Sequence, residues 1–351
     1  MIATNLFRQH TKIPIRIFCT VFCFIIVTAQ VNARQGSDLL PEFRNVKFVY
    51  REINALGFEE GVTRRDPSDI IKVDSLYYVW YSRSVTTFSG YDATIWYATS
   101  PDGIHWTEKG QALQPGPAGS WDDQSVFTPN ILIAGEKYYL FYTAVAKPFT
   151  ERTKTAIGVA VADSPDGPWC KIDSNPILCT GKAGKWIGRT GTQAEPKGAW
   201  DSHRVDDACL IIRDGRYWLY YKGRQMGLTP AQTKMGVAIA DKPTGPYIKY
   251  DKNPIVPTGH EVLVWPHRQG VAALISSGPP AIWYSRNGVD FFFQCQVTDR
   301  PNAPGAYRPD AFSDTNNGAG IKWGISMVHH RKWPYLIRFD CNLSANKITT
   351  H

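Results

Sequence analysis

Four acidic residues in this chain share a local setting, each just ahead of an apolar run: Asp66, Asp123, Asp206 and Glu261. Carboxylates gathered in a polar pocket can break a glycosidic bond. One, protonated, donates to the leaving oxygen, and another, ionised, activates water. A third holds the acid's pKa up by like-charge repulsion. His260, beside Glu261, adds a ring that titrates near neutrality and serves as a general acid when a carboxylate supports its proton. His203 and Arg204 are candidate sugar or carboxylate binders. Trp96, Trp121, Trp200 and Trp265 offer flat faces for sugar stacking, and of these Trp96 and Trp265 are assigned to the site.

Each acid also has a plainer role, since Asp ahead of a strand commonly caps a turn. That role suits Asp123 best, within Trp121-Asp122-Asp123. Neighbours on a strand alternate faces, so Asp206 is expected in the pocket and Asp207 turned away. The same rule lets His260 and Glu261 share a pocket only across a bulge.

The elements that must position these groups recur along the chain. A polar segment with an acid leads into an apolar strand, a turn, an aromatic strand and a strand of small residues. The copies span 64–84 with 95–110, 121–145 with 157–178, 199–223 with 235–256, and 259–275 with 281–293; a degenerate one covers 301–343. In the third copy, Cys209–Ile212 and Tyr217–Tyr221 flank Asp214-Gly215, a strong hairpin signal. The tetrads SPDG (100–103), SPDG (164–167) and KPTG (242–245) lie 64 and 78 residues apart. A four-strand repeat of this period means a β-propeller, and about five copies fit. The fold class is therefore all-β, a five-bladed propeller over 61–345 with a short extension at 34–60. The abundance of Gly (29), Pro (24) and Tyr (17) agrees with a turn-rich β-protein. A propeller's innermost strands line its channel, so acids opening different copies can meet at one mouth. Residues 34–60 stand outside the repeat and suit a short helix or strand that closes the ring or meets a partner.

Arg8, Lys12 and Arg16, an apolar run over 17–29 and Val31-Asn32-Ala33 form a secretory leader over residues 1–33. The run is short for a membrane span, and an uncleaved anchor is the alternative reading. The mature chain is thus expected to be periplasmic or secreted, without stable membrane insertion. Cleavage removes three basic residues, taking the formal charge from +8 to +5. That surplus is dispersed, with no basic tract, which argues against a nucleic-acid partner. Five cysteines remain, an odd and sparse set that makes no disulfide framework, although Cys170 and Cys179 could bridge a short loop. No spacing among them resembles a zinc site.

RDPSDII (65–71), RVDDACLI (204–211) and GHEV (259–262) resemble glycoside hydrolase family 117, the α-1,3-neoagarooligosaccharide hydrolases, or 3,6-anhydro-α-L-galactosidases. The resemblance extends over roughly 60–345; Arg-Asp-Pro alone is shared with the wider five-bladed glycosidases. It implies an inverting exo-hydrolase that releases 3,6-anhydro-L-galactose from the non-reducing end of agar oligosaccharides, neoagarobiose and longer. On that pattern Asp66 is the general base and Asp206 the acid that orients the site and modulates pKa. Glu261 is the third carboxylate, and His260 matches a histidine implicated as general acid. The resemblance also implies a divalent cation (Mg, Zn or Ca) near the site, which no ligand cluster here indicates. The family's subunit-exchanging extension carries Ser-x-Ala-x-x-Arg, which is missing from 34–60. That leaves a swapped dimer unsupported and a homodimer of another kind open. Alternatives are another five-bladed glycosidase or glycoside phosphorylase, arabinofuranosidase-like, or a binding paralogue without turnover.

Overall fold

The computed structural model describes residues 39–86, 91–188, 193–276, 279–329 and 332–345. The leader expected at 1–33 lies outside them. Among the described residues, regular structure is strand apart from three 3₁₀ turns, Pro41–Phe43, Pro230–Gln232 and Pro309–Phe312.

The strands form successive antiparallel meanders that follow the sequence repeat. In the first, Thr63–Arg65 and Ile71–Val73 both pair with Leu76–Ser84, which pairs in turn with Thr94–Ser100 and that with Thr107–Leu113. The second runs Ser125–Ala134, Lys137–Val145 and Ala156–Ala162, with Cys170–Lys171 and Leu178–Cys179 on its outer edge. Cys170 and Cys179 sit there as free, exposed thiols, so the loop between them is not bridged. The third comprises Arg204–Arg213, Arg216–Arg224, Lys234–Ala240 and Ile248–Lys249. Its Asp214-Gly215 turn takes φ of 53° and 69°, the left-handed pair that matches strand twist. The fourth comprises Leu263–Arg268, Gly270–Ile275, Ala281–Ser285 and Phe292–Gln296. The last comprises Asn302–Ala306, Gly318–Val328 and Tyr335–Ser344.

Of the extension expected at 34–60, the described part, 39–60, contributes to this ring. Phe48–Glu52 pairs with the final strand, Phe48 opposite Cys341 and Glu52 opposite Ile337. Just ahead of it, Glu42 binds Arg268 through both carboxylate oxygens, at 2.6 and 2.9 Å.

No meander can bury both its faces alone, so the core lies between meanders. Trp80 and Ile95 pack on Ile131 and Tyr142. Phe141 and Val159 pack on Leu210 and Leu219. Tyr220 and Val237 meet Val264 and Leu274, in a cluster that extends to Phe339. Val79 and Tyr81 meet Ile325 and Leu336, so the last meander packs back on the first and the sheets close on themselves. Each fully buried aliphatic side chain in these interfaces contributes about 1.5–3 kcal/mol. Near the axis, buried Arg308 pairs with buried Asp69 and donates to Leu210 O at 2.7 Å, and Asn130 Nδ2 donates to Asp69 at 2.9 Å. One ion pair thus ties the first, second, third and last meanders together.

Candidate active site

The strand that opens each meander is broken or preceded by one residue in the left-handed region: Asp66 (φ 49°), Thr128 (43°), Asp207 (55°), Glu261 (57°) and Ala303 (41°). Such angles are uncommon for residues with a side chain and cost of order 1 kcal/mol or more each. Their repetition from meander to meander makes them a design of the fold. In the second, third and last meanders the kink is a bulge, with register breaking between Phe127 and Asn130, Asp206 and Cys209, and Asn302 and Gly305. A bulge turns the side chain out of the pleat and re-aims it. All five residues line one cavity of about 340 Å³.

This corrects one expectation. Asp206 and Asp207 do not part to opposite faces, because the bulge suspends alternation, and both line the cavity. By backbone conformation the counterpart of Asp66 and Glu261 is Asp207, not Asp206. Asp123 is no counterpart either. Its carboxylate accepts from Gly119 N at 2.8 Å and Lys147 N at 2.7 Å, the turn role that suited it.

The acids differ sharply in environment. Burial pushes the Asp66 carboxyl above the usual range; neighbouring Arg65, at 3.6 Å, works against this, and Asp207 and Glu261 add to it. Burial likewise raises Asp207, helped by Asp206 and Glu261 and opposed by Lys222. Lys222 Nζ lies 2.8 Å from Asp207 and 3.7 Å from Asp206. Burial opposes its charge, but the two aspartates outweigh that and hold the ammonium above its ordinary range. The ammonium gains from both acids, whereas Asp207 gains from Lys222 and is repelled by Asp206 and Glu261.

Glu261 is the opposite case. Burial alone would raise it, yet the His329 hydrogen bond, the charges of His260 and His329, and the Ala303 N–H hold it well below the carboxylate range. Oε1 faces His329 Nε2 at 2.9 Å and His260 Nε2 at 3.8 Å. Oε2 accepts from Ser276 Oγ at 2.9 Å and Ala303 N at 3.0 Å. A carboxylate so engaged is a fixed anion and a poor proton donor. His260, on the cavity wall, is drawn down to about 4 by burial and by Lys222, against the pull of Glu261 and Asp206.

The expected binding residues fare less well. Trp265 is fully buried in the core and cannot meet a sugar, and Trp96 lies outside the cavity under the Arg83 guanidinium, 4.1 Å from its ring centre. His203 is buried edge-on against Trp186, and burial, then Arg204 and Arg224, draws it to about 3. Arg204 is buried beside Tyr91 and Phe149. The aromatic wall is instead Tyr91 and Phe127, ring centres 5.2 Å apart. Lys222 and His329 complete the polar side. Strand position, invisible in residue type, separates these two sets; only the histidine at the end of Gly318–Val328 carried a signal.

Among the described residues no group of three or more His, Cys, Asp or Glu side chains is placed to hold a metal ion. Both oxygens of Glu261 are committed, and Asp206 and Asp207 already face an ammonium. These residues do not fit a directly ligated divalent cation.

A meander ring whose mouth presents several carboxylates to one cavity defines a β-propeller glycoside hydrolase. The model for glycosyl hydrolases family 43 matches residues 62–183. No curated protein matches the chain. Among solved structures it is similar to Zg3597, a family 117 glycoside hydrolase of the marine bacterium Zobellia galactanivorans. The two are 31% identical over 85% of this chain and 91% of that one, with a TM-score of 0.73. It shares the fold of an endo-arabinase from Bacteroides thetaiotaomicron (15% identity, 82% and 97% coverage, TM-score 0.50) and of a family 43 enzyme from Xanthomonas citri complexed with xylose (15%, 81% and 88%, 0.53). The chain belongs to glycoside hydrolase family 117.

Proposed function

We propose that this chain is a five-bladed propeller hydrolase that releases 3,6-anhydro-L-galactose from the non-reducing end of neoagarooligosaccharides, cleaving an α-1,3 bond with inversion. The observation that carries the reading is the placement of Asp66, Asp207 and Glu261 at equivalent left-handed positions around one cavity. The resemblance in RDPSDII and GHEV supports the substrate. Export by the leader at 1–33 and action on agar outside the cytoplasm belong to the same proposal.

In this scheme Asp66, beside Arg65, takes a proton from the attacking water. Asp207, steadied by Lys222, keeps negative charge near the cleavage point and modulates its partners' pKa, and Asp206 supports it. Glu261 stays ionised and anchors the imidazoles, leaving His260 or His329 to deliver the proton to the leaving oxygen. His260 is drawn down to about 4 in the free enzyme, with Glu261 and Asp206 pulling against burial and Lys222, so it must gain its proton within the reaction. No step is routed through a metal ion, and any cation near the site is held through water.

The test is incubation with neoagarobiose and identification of the monosaccharides released. Galactose plus 3,6-anhydro-L-galactose, with inverted anomeric product by NMR, supports the proposal. Release only from arabinan or xylan oligosaccharides overturns the substrate and points to the family 43-like alternative. Binding without release in every panel points to a paralogue without turnover.

A further inference from the structure

We infer that the third meander carries an anion subsite beside the cavity, built from Arg204 and Arg224, which takes a sulfate ester or carboxylate on the oligosaccharide. The inference rests on the glycosidase reading above and extends its substrate class.

Arg204 stands directly opposite Arg224 in the strand ladder, and Asp206 opposite Lys222. Residues two apart share a face, so Arg204, Arg224, Lys222 and Asp206 are stacked side by side, and with Lys222 taken up by Asp206 and Asp207 the two guanidiniums remain. Like charges placed directly opposite destabilise a strand pair. The burial is deep: Arg204 is 3% exposed. Its Nε and Nη1, and Nε of Arg224, are buried and have no hydrogen-bond partner among the described residues. Burial and then Arg204 itself pull the Arg224 guanidinium below its ordinary range. Tyr91 and Phe149, stacked at 3.9 Å, lie over Arg204 at 5.8 and 5.4 Å from their ring centres. The cluster adjoins the cavity, because Asp206, Lys222 and Tyr91 line that cavity themselves.

The fold does not require these cations. At the matching places of the second meander the pairs are Ser125 with Val145 and Phe127 with Thr143. The same strand pair thus folds without any charge there. Buried donors left unpaired in like-charged neighbours are met by a ligand that brings negative oxygens, and guanidinium forks suit sulfate and carboxylate oxygens.

The experiment uses the full chain and follows melting temperature during titration with sodium sulfate, sodium glucuronate and sodium chloride at matched ionic strength. A saturable rise with sulfate or glucuronate, absent with chloride and at least about tenfold weaker in Arg224→Gln, is the expected result. The larger response identifies the source, sulfate ester or uronate. Should Arg224→Gln not fold, Arg204→Lys, which keeps charge but loses the fork, carries the comparison. Equal responses to all three salts, or a rise unchanged in the variants, overturns the subsite. A sulfated oligosaccharide should then show a lower KM than its desulfated form with kcat little changed. Anion binding without hydrolysis of any agar oligosaccharide would refute the functional reading and leave the subsite standing; hydrolysis without anion binding would do the reverse.

Discussion

The second and third meanders are nearly the same object at their base and different objects at their mouth. Trp121 stacks on Tyr142 at 5.8 Å, and Trp200 lies against Tyr221 at 5.5 Å. Asp122 accepts from Tyr142 OH and Lys171, and Asp201 from Tyr221 OH and Lys249. Asn175 and Asn253 each bridge the N–H and C=O of one residue on the third strand, Val159 and Val237. Gly158 and Gly236 face these indoles so closely that a Cβ would fall within 2.8 Å of either ring. Both strands kink at the same place. Yet the kinked residue is Thr128 in one, bonded to Thr143 at 2.6 Å, and Asp207 in the other, paired with Lys222. Scaffold and chemistry are separable here: the backbone aims a side chain at the cavity whether or not that side chain reacts.

The sharpest way to break this comparison is Asp207→Thr, which gives the third meander the second meander's residue. We expect kcat/KM to fall about 10²–10⁴-fold, as for loss of an acid–base group, with the unfolding midpoint little changed. Asp66→Asn should match it, and Asp206→Asn should cost less, since Asp206 lies farther from the shared ammonium. A larger loss from Asp206→Asn would restore Asp206 as the third carboxylate. The shared base gives the next effect. Trp121→Ala and Trp200→Ala should each lower stability by about 3 kcal/mol in denaturant titrations, by similar amounts. Very different values would show that the two bases are not equivalent.

A third expectation concerns protons. His203, held near 3 when folded against about 6.5 when unfolded, takes up a proton on unfolding in the window between those values. Its contribution is fully present above pH 6.5 and is lost as pH falls toward 3. His203→Phe should therefore flatten the dependence of stability on pH by up to about 1.4 kcal/mol per pH unit, with unchanged slope above pH 7. The smallest effect is at the outer edge: Asn175→Ala and Asn253→Ala should each cost about 1–2 kcal/mol of stability and leave turnover intact.

Much of the fold was legible because punctuation repeats. The turn glycines Gly167 and Gly245 take φ of 90° and 88°, each donating back three residues to Ser164 and Lys242, as the tetrads implied. Asp66, Glu261 and His260 were legible because each opens a copy of the repeat and all line the cavity. What stayed hidden depends on geometry finer than residue type. Alternation assigned Asp206 over Asp207 because nothing in Val205-Asp206-Asp207-Ala208 announces a bulge. Trp265 reads like a sugar platform, but its strand position turns it into the core. Tyr91 sits in a connection without a motif, and Lys222 is embedded in an aromatic strand that reads as packing.

The strand Phe48–Glu52 has a consequence in time. It leaves the ribosome ahead of every other described strand, and its partner Tyr335–Ser344 after all of them. Leu40 N donates to Gln294, 254 residues away, and Lys47 N to Asn342, 295 away. Until Tyr335–Ser344 has been released, Phe48–Glu52 has no strand to pair with. The first-made strand must therefore wait as an unsatisfied edge, and closing it is a slow, long-range step. Interruption of synthesis before Tyr335 would leave Phe48–Glu52 without its partner strand.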